Sequence, residues 1–155
     1  MSGFKLIMAV SSDGFVARGP DDDMYWTGST DKGLFKLLTT SGGVLLAGRV
    51  TAAMLPPLKH RLVVPLSRDP AYGLSLEQAS SQYPGAWLIG GPAVAEEALH
   101  QGLVHQAYIS QVPAFLGQGI PFRPILDLLP DSRLWQNSLV GDVRMRVYWG
   151  LDSGS

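Results

Sequence analysis

Hydrophobic and polar positions alternate along the chain with two distinct periods, and they divide it into strands and helices. Phe4–Val10, FKLIMAV, is a short apolar run closed by the turn signal SSDG, which predicts a buried strand. The next segment, FVARGPDDDMYW, carries Gly, Pro and three consecutive aspartates and reads as a long loop; its Asp21–Asp23 run is read as solvated, not as a cation site. In MYWTGSTDKGLFKLLT, apolar residues at helical spacing predict a helix through Thr39, with Ser29 or Thr30 as N-cap. Leu34, Phe35, Leu37 and Leu38 form its core-facing side, and Asp31 falls in its first turn, near the positive end of the helix dipole.

Three further strand-and-helix alternations follow. GGVLLAG (Gly42–Gly48) is a buried strand and RVTAAML a short helix directly after it. HRLVVPLSR (His60–Arg68) is a strand whose Pro65 suits an edge or bulge, and SLEQASSQY a modest helix. AWLIGG is a strand ending on paired glycines, and PAVAEEALHQGL a helix opened by proline, where the missing N–H costs little. HQAYISQVP is a fifth strand. A Gly/Pro-rich connection, a weak helical stretch PILDLL and two antiparallel strands, LWQNSLV and VRMRVYWG, complete the chain. This order predicts an α/β three-layer sandwich: a mostly parallel central sheet with helices on both faces and an antiparallel C-terminal hairpin.

Composition narrows the functions. With 155 residues, residues 1–155 are expected to form one domain. Twelve basic and 13 acidic residues argue against nucleic acid or an acidic membrane as partner. The chain has 46% hydrophobic residues, predicting a compact core, and no cysteine, which removes disulfides, zinc thiolates and a cysteine nucleophile. Its start lacks the apolar core of a signal peptide and no run reaches transmembrane length, so a cytoplasmic protein is expected. His60, His100 and His105 do not have metal-ligand spacing, and no metal site is expected.

The candidate chemistry sits after strands. GR, SR and GG follow the second, third and fourth strands, where open α/β sheets bind ligands. Gly90 and Gly91 precede a helix start suited to a phosphate; Gly48, Arg49 and Thr51 open another; Ser67 and Arg68 pair a hydroxyl with a guanidinium suited to a phosphate monoester. Together they suggest a dinucleotide across the sheet, with a phosphorylated ribose at Ser67 and Arg68.

In order and spacing, LIMAVSSDGFVA, MYWTGSTDKGLFKLLT, VLLAGRVT, LKHRLVVPLSR, LIGGPAVAEEAL and AYISQV resemble dihydrofolate reductase over residues 4 to 122. The resemblance implies an NADPH-dependent enzyme reducing 7,8-dihydrofolate to tetrahydrofolate, with Asp31 gripping the pterin, Trp26 helping to hold a water beside it and Ser110 bonding its carboxylate. It implies a substrate pocket of Ile7, Met24, Asp31, Phe35, Leu55 and Leu58, with Arg61 on the glutamate carboxylate. Cofactor contacts would come from Ala9, Ala17, Arg49, Val50, Thr51, Ser67, Arg68, Ile89, Gly90, Gly91 and Val94. Such a protein acts on a small molecule as monomer or homodimer. The chain departs from the family at Ala17, Tyr25, Ala52 and Ala95, where glycine, proline and two aromatics are usual. GLVHQAYISQVPAFLGQGIPF is similar to the reductase domain of riboflavin biosynthesis, whose substrate is a ribosylamino-pyrimidine; a non-catalytic nucleotide-binding module is a third alternative.

Overall fold

The computed structural model describes residues 3–152 apart from 20, 21, 23, 41, 42 and 57. Its elements in chain order are β1 (Phe4–Val10), β2 (Phe15–Ala17), a 3-10 turn (Tyr25–Thr27), α1 (Gly28–Thr40), β3 (Val44–Gly48), α2 (Arg49–Met54), β4 (Leu62–Leu66), α3 (Leu76–Gln82), β5 (Trp87–Gly90), α4 (Pro92–His100), β6 (Val104–Gln111), β7 (Ile120–Pro121), α5 (Arg123–Leu126), a second 3-10 turn (Asp131–Arg133), β8 (Leu134–Val140) and β9 (Val143–Trp149).

Seven strands form one sheet in the order β4-β3-β5-β1-β6-β9-β8. β4, β3, β5, β1 and β6 are mutually parallel, and β9 and β8 close the far edge as an antiparallel pair. β4 is the other edge, which is why Pro65 is tolerated within it: the outer side of an edge strand needs no ladder donor.

Alternating side chains divide the strands between two cores. Phe4, Leu6, Met8 and Val10 of β1, Leu46 of β3 and Leu88 of β5 face Ala79 of α3, Ala95 and Ala98 of α4 and Ile125 of α5. Ile7, Leu45 and Trp87 face the opposite way, onto Phe35 and Leu38 of α1. Helices therefore cover both faces, as the near-continuous apolar strands require. The helix boundaries follow local chemistry. Ser75 accepts the Gln78 N–H at 3.1 Å while the Gln78 side chain accepts the Ser75 N–H at 2.9 Å, a reciprocal cap that starts α3. α4 begins on Pro92 and ends at His100.

Four expectations are corrected. Ser29 and Thr30 are inside α1, not its cap, because the chain enters the helix through the 3-10 turn and Gly28, whose φ of 84° suits glycine. Leu37 is 74% exposed: α1 crosses one sheet face only, so its outer side stays in solvent. The segment after β1 is not all loop, since β2 pairs antiparallel with β7 and ties the Phe15–Ala17 stretch to the Gly/Pro-rich connection. His60 is in a left-handed turn, φ 62°, and β4 starts two residues later. Gly42, placed by the sequence at the head of β3, lies outside the described residues.

Candidate functional site

The carboxyl ends of β4, β3 and β5 lie side by side, with Gly48 in register with Leu66 and Ala47 with Gly90. The three strand-end motifs, far apart in the chain, are thus neighbours. Beyond them start α2, at Arg49, and α4, at Pro92, both directing backbone N–H groups to the same edge. Glycines line this edge, with the tightest approach at Gly48. A Cβ on Gly48 would stand 3.2 Å from Val94 Cγ2 and 3.5 Å from the Gly91 nitrogen; one on Gly91 would stand 3.5 Å from Thr51 Oγ1. Gly90 has φ 136°, a backbone region other residues avoid, and the Gly90–Gly91 peptide is cis.

The polar groups at this edge are partnered. The Arg49 guanidinium lies 3.5 Å over the Tyr72 ring, a cation–π contact, with Val50 exposed beside it. Ser67 Oγ accepts the Asp69 N–H at 3.0 Å. Arg68 Nη2 donates to Glu97 Oε1 of α4 at 2.6 Å while remaining largely in solvent. Ser67 and Arg68 border an open groove of about 810 Å³ that continues along Leu74, Ser75, Gln78 and Gln82.

Asp31 lies on the α1 face of the sheet, in the helix's first turn and half-buried. Burial pushes its carboxyl above the usual carboxylate range; hydrogen bonds from Ser110 and Thr27 and the charge of Lys32 oppose that rise. Ser110, on β6, is buried, and its hydroxyl also contacts Met145 Sδ of β9 at 3.8 Å. Ile7, Phe35, Leu58 and Ile89 belong to one apolar cluster on this face. Ala9 is buried two residues beyond Ile7 on β1, and Leu55 follows α2, half-buried. Arg61 is drawn to the far end of α1: its Nη1 donates to the fully buried Thr39 Oγ1 at 3.2 Å and its Nε to the Lys59 carbonyl at 3.1 Å. Among the described residues no group of three or more His, Asp or Glu could hold a metal ion.

The loop before α1 holds what the sequence reading missed. Asp21 and Asp23 lie outside the described residues, but Asp22 is no solvated loop charge, since its side chain is 2% exposed. Its carboxylate accepts the Arg18 N–H at 2.6 Å, the Met24 N–H at 2.9 Å, the Trp26 indole N–H at 2.8 Å and the Arg18 guanidinium at 3.2 Å. Burial raises the affinity of this carboxyl for its proton, but the donors outweigh it and lower the pKa to about 2. The Trp26 indole N–H is therefore already engaged by Asp22, and Met24, at φ 60°, is held in a left-handed turn by the same acid. The signal available in sequence was spacing: Arg18, Asp22 and Trp26 are four residues apart in both directions. A second acid, Asp13, accepts the Ser11 hydroxyl at 2.6 Å and the N–H groups of Leu116 and Gly117 at 3.1 and 2.8 Å, joining the turn after β1 to the segment before β7. Ala17, at the end of β2, pairs with Ile120; a Cβ on Gly119 would collide with its carbonyl oxygen.

No family model matches the sequence, and no curated protein sequence matches it at a significant level. Similarity is found among solved structures. Over 96% of each chain, the protein superimposes on dihydrofolate reductase from Enterococcus faecalis, complexed with NADP(H) and RAB-propyl, at 20% identity and a TM-score of 0.65. It superimposes on Schistosoma mansoni dihydrofolate reductase at 20% identity and a TM-score of 0.66, covering 96% of this chain and 98% of that one. A sheet with this strand order, carrying α1 on one face and α3 and α4 on the other, is the dihydrofolate reductase fold.

Proposed function

We propose that the protein is an NADPH-dependent reductase of dihydrofolate. The observation that carries this reading is Asp31: a half-buried carboxyl kept in the first turn of α1, faced by two hydroxyls, on the side of the sheet where Ile7, Phe35 and Leu58 form an apolar wall. A pterin presents an N3–H and a 2-amino group side by side, and one carboxylate accepts both. That pair fixes which ring face is turned toward the strand ends, and its negative charge favours the proton at N5 that accompanies reduction of C6. Burial raises the proton affinity of this carboxyl, and Ser110, the charge of Lys32 and Thr27 oppose that rise. Arg61, anchored on Thr39, is assigned to the substrate's glutamate carboxylate.

The strand-end cradle fits a dinucleotide: a Cβ on Gly48 would press on Val94, Gly90 holds a φ of 136° that other residues avoid, and Gly91 presents bare backbone at the start of α4. Gly90, Gly91, Thr51, Val50, Val94 and Arg49 are assigned to the pyrophosphate and its ribose, Ser67 and Arg68 to the 2′-phosphate, and Ala9, Ala17 and Ile89 to the nicotinamide end. When bound, NADPH supplies the hydride. The chain's own contribution is alignment and exclusion of water, with Met24 and the Asp22-organised loop covering the reacting face. We assign the whole of residues 1–155 to one such unit in the cytoplasm, working as monomer or homodimer; no described helix is long and apolar enough to cross a membrane.

The test is loss of reduced-nicotinamide absorbance with dihydrofolate present, in the parent protein and in Asp31→Asn. Dihydrofolate-dependent oxidation that disappears in the variant supports the assignment. No oxidation in the parent refutes the activity, and an unimpaired variant refutes the role of Asp31.

A further inference from the structure

Lys32 follows Asp31 but turns its ammonium back along the 3-10 turn. Its Nζ donates to the Met24 carbonyl at 2.9 Å and to Thr27 Oγ1 at 2.6 Å. The same carbonyl is also within reach of the Thr27 N–H, at 3.3 Å, and of the Thr27 hydroxyl, at 3.1 Å. Three donors therefore converge on one oxygen that has two lone pairs. The backbone N–H cannot turn away, and the ammonium is already bridged between two acceptors. The hydroxyl of buried Thr27, which points to that carbonyl at 3.1 Å, can rotate, and the Asp31 carboxyl four residues on is a second acceptor that it faces.

We propose that Lys32 is a positioning residue for Asp31 and acts through Thr27: by taking the Met24 carbonyl and a lone pair of the Thr27 oxygen, its ammonium leaves the Thr27 proton to donate to the Asp31 carboxylate. The inference rests on Asp31 being the acid of the site, as proposed above. The groups that face the Asp31 carboxyl are Thr27 from the 3-10 turn, Ser110 from β6 and the charge of Lys32 from α1 itself. A carboxylate that receives a correctly aimed hydroxyl stays ionised to lower pH. The same bridge fastens Met24, at the end of the loop, to the helix that carries Asp31, so loop position and carboxylate state are coupled through one side chain.

The experiment follows the carboxyl carbon resonance of Asp31 with pH in protein labelled at aspartate, the signal being assigned by its loss in Asp31→Asn. Neither ligand nor turnover is needed, so a protein that fails to reduce dihydrofolate still reports on this inference. High salt screens the exposed ammonium and leaves the hydrogen-bond effect. Under those conditions Lys32→Met is expected to move the Asp31 titration upward, Thr27→Val to move it upward likewise, and the double variant to move it no further than Thr27→Val alone. Thr27→Ser, which keeps the hydroxyl, is expected to titrate like the parent. An unshifted Lys32→Met, or a Lys32→Met shift of the same size with and without the Thr27 hydroxyl, would overturn the proposal.

Discussion

Asp22 offers the sharpest test of how the loop before α1 is built. Replacing it by asparagine removes the charge and one of two strong acceptor oxygens while keeping the shape. In the folded protein the carboxyl is held at about 2 against 3.8 for the free side chain, because two backbone N–H groups, the Trp26 indole and the Arg18 guanidinium donate to it. Each tenfold change in proton affinity is ~1.36 kcal/mol, so the full linkage corresponds to ~2.4 kcal/mol. The Arg18 side chain is 53% exposed, and solvent screens that partner, which brings the expected loss to about 1–2 kcal/mol. The sign follows from the direction. A carboxyl whose folded pKa is depressed stabilises the native state above its unfolded value of 3.8 and loses that contribution as pH falls through about 2. Denaturant unfolding of the parent and of Asp22→Asn at neutral pH should therefore differ by about 1–2 kcal/mol, and the gap should close as the buffer approaches pH 2. A gap independent of pH, or none at neutral pH, would mean that Asp22 is the solvated charge its sequence context suggests.

Asp31 runs the opposite way. Burial raises its folded pKa, so its contribution to stability is greatest in acid and is lost as pH rises through the folded value; Asp31→Asn should melt above the parent at neutral pH, the two converging in acid, and a variant that melts lower there contradicts the assigned burial. Arg61→Leu should raise the dihydrofolate KM by the equivalent of about 2–4 kcal/mol, the cost of leaving a carboxylate unpaired, and an unchanged KM would favour a pyrimidine substrate that lacks the glutamate. Arg68→Ala should weaken binding of NADPH more than that of NADH, measured by nucleotide titration; equal effects would remove Arg68 from the 2′-phosphate.

Local rules read much of this molecule correctly. An apolar run of four to seven residues with both faces covered suits the inside of a sheet, and β1, β3 and β5 are so placed. Pro65 suited an edge or a bulge, and β4 is an edge. Pro92 demanded a helix start, and α4 begins there. The paired glycines after β5 were legible because a tight strand-to-helix turn calls for glycine locally, and Gly90 adopts φ 136° there.

What the sequence could not say concerns groups that meet across distance. Leu37 has the helical spacing of a core residue, yet α1 has a sheet on one side only, and which side is hidden depends on the packing of the whole layer. Asp13 finds the N–H groups of Leu116 and Gly117 only after the chain has closed on itself. Asp22 reads as one more acid in a run of three until the loop folds four donors onto its oxygens. Hydrophobic period and turn chemistry are properties of neighbours in the chain, so the sequence by itself determined the strands, the helices and the residue types at their ends. Whether a polar atom is solvated or enclosed depends on which donors the tertiary fold brings to it, and that alone gave Asp13 and Asp22 their partners.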